Sequence, residues 1–302
     1  MKQTTVAIIG AGAVGATTAY TCIMQIAAKI MLVDINVQRC AGEVDDLADA
    51  LSFGNASEIT QGTVRDAGQA DIIIIAAGVP QKPGQSRLEL LTINKKVIAS
   101  ILTEMQPINK ESVIIVVTNP VDILTRLVQE LSGLPRNQVF GSGTLLDTQR
   151  LRGLISKKIQ VDPRSIHLYV LGEHGDSQCV AWSSADVGGS SLLQFPQLTQ
   201  KELDVMAVQA RQKAYDIIAC KGSTSFGIAA CVAAYCQNIL LDQKRIVPVS
   251  CFVESLGVCL SMPAVLGRNG IEQILNIPLD ATERAALEQS ARVVQSMYEQ
   301  MG

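Results

Sequence analysis

Four short, continuous apolar runs are the feature that most narrows the folds open to this chain: TTVAIIG at 4–10, KIMLVD at 29–34, ADIIIIAAG at 70–78 and SVIIVVTNP at 112–120. Runs of this length without polar alternation are what strands look like when both faces are covered. Between them lie longer stretches with helical spacing, among them AVGATTAYTCIMQIA and RLELLTINKKVIASILTEM. Strand, helix, strand, repeated, predicts a parallel sheet with right-handed crossovers. After about residue 142 the pattern loosens into mixed helices and strands and closes on the helical segment ATERAALEQSARVVQSMYEQM.

The first run leads into GAGAVG, with Gly10, Gly12 and Gly15 directly after a strand and at the head of a helix. Alone, G-x-G-x-x-G says little. Here it opens a βαβ unit whose second strand ends in Asp34, nineteen residues after Gly15, where an acidic residue is expected about 20 positions on. The glycines permit a tight turn and a close approach of a pyrophosphate to the positive end of a helix. Asp34 would accept hydrogen bonds from the adenosine ribose and repel a 2′-phosphate, which favours NAD over NADP. The expected architecture is α/β: a Rossmann-type parallel sheet that binds NAD over residues 1–142, then a mixed α+β substrate domain over 143–302.

Composition closes off other classes. A net charge of −3 without a lysine/arginine cluster offers no face for nucleic acid. The longest apolar runs, such as GIAACVAAYC, are too short to span a bilayer, and no basic n-region with a hydrophobic core opens the chain. The eight cysteines form no C-x-x-C pair and sit mostly among apolar neighbours. They read as buried free thiols of a protein in the reducing cytoplasm.

GAGAVG, AAGVPQKPGQSR, TNPVD, GSGTLLDTQR, LGEHGDS and KGSTSFGIA occur in this order along the chain. In this the chain resembles the NAD-dependent lactate and malate dehydrogenase superfamily over nearly its whole length, and in detail its bacterial L-lactate dehydrogenases. The resemblance implies a reversible hydride transfer between NAD and a small 2-hydroxy acid. That chemistry needs a base for the hydroxyl proton, a cation for the carboxylate and a nicotinamide within hydride range.

The chain holds two histidines, His167 and His174. His174, in GEHGD, suits the proton-transfer role, since an acid–base group works best with a pKa near ambient pH. The resemblance makes Asp147 the carboxylate that orients it and favours its charged form. Arg150, three residues on and on the same helical face, would bind the substrate carboxylate through a planar fork. On sequence alone, the alternative is that Asp147 and Arg150 simply pair with each other on a surface helix.

Arg87 ends a Pro- and Gly-containing segment after a strand, which the resemblance makes a lid that brings it to the carbonyl oxygen. Asn119 would hydrogen-bond the reacting oxygen or the cofactor, and Thr224 would line the pocket. Gln81 stands where malate dehydrogenases carry arginine. A neutral side chain would leave the second carboxylate of oxaloacetate without a counter-charge, so the expected substrate pair is lactate and pyruvate. Ile228 and Ala214 are further candidates for shaping the pocket.

Arg152 and His167 match the cations with which allosteric bacterial relatives bind fructose 1,6-bisphosphate across a subunit interface. The expected assembly is a homotetramer, with a dimer next. The chain departs from the family in lacking an N-terminal arm, in a short hairpin at ESLGVCLSMP, in a tight MQIAAKIM segment, and in Gln149 for a commoner alanine. The rivals are malate dehydrogenase or another L-2-hydroxy-acid dehydrogenase, an NAD-dependent glycosidase, which would need a metal site, and a non-catalytic NAD-binding protein.

Overall fold

A computed structural model describes residues 3–79 and 87–301, the side chain of Arg87 aside. The first half supplies strands β1 (Thr5–Ile9), β2 (Lys29–Val33), β3 (Glu58–Gln61), β4 (Ile72–Ile75), β5 (Val113–Val116) and β6 (Val139–Gly141). Helices α1 (Ala13–Gln25), α2 (Val37–Asp49), α3 (Val64–Ala67), α4 (Arg87–Glu104) and α5 (Val121–Leu131) alternate with them. The strands pair in parallel in the order β3-β2-β1-β4-β5-β6. This is the doubly wound order of dinucleotide-binding sheets, with its switch point between β1 and β4.

The four apolar runs become β1, β2, β4 and β5. β4 and β5 read IIII and VIIV and are buried along their whole length, because helices cover both faces. Each such side chain contributes about 1.5–3 kcal/mol of burial. Edge strand β3 instead has one buried residue of four.

The second half begins with α6 (Leu145–Ile159) and five two-residue strands, β7 (Ile166–His167), β8 (Val170–Leu171), β9 (Cys179–Val180), β10 (Asp186–Val187) and β11 (Ser190–Ser191). Then come α7 (Gln200–Lys221), α8 (Phe226–Leu240), β12 (Arg245–Val253), β13 (Val258–Gly267), β14 (Gly270–Ile274) and α9 (Ala281–Gln300). β12, β13 and β14 form an antiparallel meander that joins β6 through the pair Ser250↔Gly141. One nine-stranded sheet therefore runs across residue 142.

The short hairpin at ESLGVCLSMP is a four-residue turn between β12 and β13. Gly257 takes a positive φ of 70° there and its N–H donates to the Val253 carbonyl at 2.9 Å. Helix α8 is apolar almost all round because it lies between α1 and the sheet. No described helix is long and apolar enough to cross a membrane.

Candidate active site

The carboxyl end of β1 is shaped by its glycines. Gly10 takes φ +108°, and its N–H donates to the Val33 carbonyl at 2.7 Å, drawing the turn onto β2. A Cβ there would stand 2.8 Å from the Ala77 nitrogen, and one on Gly15 would overlap the Gly10 carbonyl oxygen. These two glycines let β1, β4 and α1 pack closely. Gly12 differs: it is the N-cap of α1, and a Cβ on it would meet no protein atom within 4 Å. No packing demand explains glycine at this position, whereas a diphosphate approaching the helix N-terminus does.

Asp34 stands beside this turn. Its Oδ2 accepts from the Ala11 N–H at 2.7 Å and its Oδ1 from the Asn36 N–H at 2.8 Å. The carboxylate is thus fixed at the end of β2, and each oxygen keeps lone-pair capacity for ribose hydroxyls. The glycine turn and Asp34 fit a dinucleotide.

The second cluster lies where β6 passes into α6. Asp147 falls in the first turn of α6, the positive end of the helix. Thr144 Oγ1 donates to the Val170 carbonyl at 2.5 Å, and the Val170 N–H donates to Thr148 Oγ1 at 3.0 Å. These bonds staple the start of α6 to β8, the strand that enters the histidine turn. His174 Nδ1 consequently lies 2.8 Å from Asp147 Oδ2, while Arg150 Nη1 donates to Asp147 Oδ1 at 3.3 Å. The Asp147–Arg150 pairing that sequence left open does occur, but in the interior: their side chains are 3% and 8% exposed.

A buried ion pair is stable only when its remaining hydrogen-bonding capacity is met. Here the imidazole meets it on the second carboxylate oxygen. Burial disfavours the charged imidazolium, but the charge and hydrogen bond of Asp147 and the charge of Asp122 outweigh it, with Arg150 opposing them. The pKa of His174 is raised.

Asp122, the last residue of TNPVD, is a participant that sequence reasoning missed. It is 3% exposed, its Oδ2 accepts from the His174 N–H at 2.7 Å and its Oδ1 from Ser250 Oγ at 2.6 Å. Burial, against those two bonds, pushes its carboxyl up to about 6. Asn94 was missed as well. Buried on α4, it accepts from the Val79 N–H and donates to the Asn119 carbonyl, each at 2.8 Å. TNPVD was visible as a motif, but nothing in it marked Asp122 as buried beneath the histidine.

Asn119 is exposed at the end of β5, and its Oδ1 accepts from the Val121 N–H at 3.3 Å. Thr224 is half-buried in the loop before α8. Gln81 lies outside the described residues, and Arg87 is described only as the first residue of α4. Arg152 reaches the link between β7 and β8, donating to the Leu168 carbonyl from Nη2 at 2.8 Å and lying over the Tyr169 ring. His167, one residue earlier on β7, is exposed and paired with Asp186. Six of the eight cysteines are buried, Cys179 is half-buried and Cys220 is exposed; all are free thiols.

A doubly wound sheet whose glycine turn at the switch point fits a diphosphate, together with an imidazole and a guanidinium on one buried carboxylate, defines a dinucleotide-dependent oxidoreductase. The comparisons with known proteins narrow the class. Residues 4–141 match the NAD binding domain of lactate/malate dehydrogenase and residues 144–301 its alpha/beta C-terminal domain. The chain belongs to the lactate/malate dehydrogenase family and is an NAD-dependent oxidoreductase.

It is 46% identical to L-lactate dehydrogenase A of Rhizopus oryzae, over 97% of this chain and 91% of that protein. It is 41% identical to L-lactate dehydrogenase of Chloroherpeton thalassium, over 96% of this chain and 97% of that one. Among solved structures it is similar to the minor L-lactate dehydrogenase of Enterococcus mundtii in a ligands-bound form. That match has a TM-score of 0.94 at 35% identity and covers 99% of this chain and 98% of the other. A lactate dehydrogenase from a Medee basin deep-sea metagenome library also has a TM-score of 0.94, at 33% identity, over 100% of this chain and 99% of that one.

Proposed function

We propose that the chain interconverts pyruvate and L-lactate with NAD(H). The observation that carries this reading is Asp147, a buried carboxylate with an imidazole on one oxygen and a guanidinium on the other. Bound NADH supplies the hydride that reduces C2 of pyruvate. His174, with Nδ1 committed to Asp147, is left Nε2 as the atom that protonates the carbonyl oxygen and takes the proton back in lactate oxidation. Asp147 stabilises the imidazolium between those events. Among the described residues Arg150 hydrogen-bonds Asp147 alone, so its remaining N–H donors suit the substrate carboxylate.

Arg87 is assigned to polarising the carbonyl, Asn119 to the reacting oxygen or the cofactor, and Thr224 to the pocket wall. Gln81 is assigned to selection against a second carboxylate. The L-lactate dehydrogenases among its relatives favour the same substrate pair. Arg152 on α6 and His167 on β7, one residue before the Leu168 carbonyl that Arg152 meets, are assigned to fructose 1,6-bisphosphate, an activator held between two subunits.

The exposed apolar residues Val205, Val208, Tyr215 and Ile218 along α7 support self-association, and a homotetramer is the assembly assigned. Its free thiols suit the cytoplasm. The test is NADH oxidation with pyruvate and with oxaloacetate, with and without fructose 1,6-bisphosphate, on protein whose mass is read by light scattering. Strong preference for pyruvate is expected, with activation by the sugar bisphosphate. Preference for oxaloacetate would refute the role given to Gln81, and indifference to the bisphosphate would refute that of Arg152 and His167.

A further inference from the structure

The turn that displays His174 is closed by a ring of hydrogen bonds, and a serine of the C-terminal helix completes it. The Glu173 N–H donates to Ser290 Oγ at 2.8 Å. Ser177 Oγ donates to Glu173 Oε2 at 2.5 Å, and the Ser177 N–H approaches the same oxygen at 3.3 Å. The two hydroxyl oxygens, Ser177 Oγ and Ser290 Oγ, lie 3.0 Å apart. The proton inventory fixes the direction of that last bond. An amide N–H donates only, and the Ser177 proton is committed to the carboxylate, so the Ser290 hydroxyl must donate to Ser177. Each member then accepts one bond and donates the next, an arrangement in which hydrogen bonds reinforce one another.

Ser290 is fully buried, on a face of α9 that it shares with Leu287, Ala291 and Val294. Alanine would suit that apolar face better unless the hydroxyl had a task. A helical serine ordinarily satisfies its hydroxyl on the carbonyl four residues back, but Ser290 directs its hydrogen bonds to the histidine turn. The turn is shaped to receive it. Gly172 takes φ +87°, and a Cβ there would stand 2.5 Å from Ser290 Oγ. The ring encloses His174, Gly175 and Asp176. Together with the Asp122 bond to the His174 N–H, it fixes the backbone from which the imidazole reaches Asp147.

We propose that Ser290 is a positioning residue for the acid–base step: through Glu173 and Ser177 it locks the turn that sets the imidazole of His174 against Asp147. This rests on the reading of His174 as the proton-transfer group. Catalysis is sensitive to small displacements of such a group, and a slack turn is expected to lower kcat about tenfold while leaving NADH binding intact. It would also weaken the Asp147 contact that favours the imidazolium. The groups bearing on His174 are Asp147 and Arg150 from α6 and Asp122 from α5, with Glu173 acting in turn on Asp122. Of these, loosening the turn chiefly releases Asp147.

The experiment compares Ser290→Ala, Ser177→Ala, Ser177→Thr and His174→Asn in the full-length protein. It records Tm, NADH affinity, kcat, KM for pyruvate and the pH profile of pyruvate reduction. Ser290→Ala and Ser177→Ala are expected to lose about tenfold in kcat and to lose activity at lower pH than the wild type, with NADH affinity kept. Ser177→Thr, which retains the hydroxyl, is expected to recover most of the loss. If Ser290→Ala fails to fold, Ser177→Ala, at the ring's half-buried member, carries the test. Alanine variants with a lowered Tm but an unmoved kcat and pH profile would overturn the proposal and leave Ser290 as packing. Full activity in His174→Asn would instead overturn the reading of His174 itself.

Discussion

Replacing Asp122 by asparagine probes the energetic consequence of the carboxylate buried beneath the His174 turn. Asparagine keeps the shape, and its Oδ1 can still accept from the His174 N–H while its amide turns to Ser250. The charge is lost. Asp122 titrates at about 6 in the folded protein against 3.8 ordinarily. A raised carboxyl pKa means that the folded chain holds this proton more tightly than the unfolded one. The stability it contributes is therefore complete below the unfolded pKa and lost as pH rises through the folded one. The shift corresponds to about 3 kcal/mol lost once pH is well above 6, of which on the order of 1 kcal/mol falls between pH 5 and pH 7.5. Any fixed effect of rearranging Ser250 is the same at both pH values and cancels.

The assay is urea unfolding of wild type and Asp122→Asn at equal protein concentration, at pH 5 and pH 7.5. The variant is expected to gain on the wild type by on the order of 1 kcal/mol between those two conditions. A stability gap that stays constant with pH would refute the reasoning, because Asp122 would then not be a group whose burial raises its pKa. The same variant removes one of the charges that favour the His174 imidazolium. If His174 supplies the proton as proposed, pyruvate reduction should then fail at lower pH than in the wild type.

Asp147→Asn removes the largest of the influences that raise the pKa of His174. Its pyruvate reduction is expected to fall on the order of a hundredfold, with the alkaline limb of its pH profile moved down; an unmoved limb would dissociate Asp147 from the imidazole. Gly15→Ala forces a Cβ into the Gly10 carbonyl oxygen and should lower stability by about 1–3 kcal/mol. Gly12→Ala places its Cβ where no protein atom lies within 4 Å, so it should weaken NADH binding, read by fluorescence titration, without lowering the Tm. Unweakened binding in Gly12→Ala would count against a diphosphate at that position.

The sequence was most informative where a local pattern carries the structure. β1, β2, β4 and β5 were legible because a strand covered on both faces needs an unbroken apolar run, and the nucleotide turn was legible because its glycines and Asp34 belong to one βαβ unit. Edge strand β3 has one buried residue of four and left no comparable trace. The same holds for the paired strands of two residues between α6 and α7, which are too short to show any period. α8 showed as an apolar run, but its packing between α1 and the sheet depends on partners elsewhere in the chain.

The site divides along the same line. Asp147 and Arg150 share a helical face, so their proximity follows from spacing alone, although spacing could not say whether that face was buried. The contact of Asp147 with His174 spans 27 positions, that of Asp122 with the His174 N–H spans 52, and those of Ser250 with Asp122 and Ser290 with Ser177 span 128 and 113. No local pattern announces an aspartate or serine whose partner is so far away. What distinguishes these residues is burial with every proton assigned, a property of the folded chain. The imidazole is therefore poised by two buried carboxylates that act differently. Asp147 reaches the ring itself and favours its charge directly. Asp122 reaches only the backbone beneath it, and because its own proton titrates near 6, its influence on the ring grows as pH rises through the range in which the proton must be transferred.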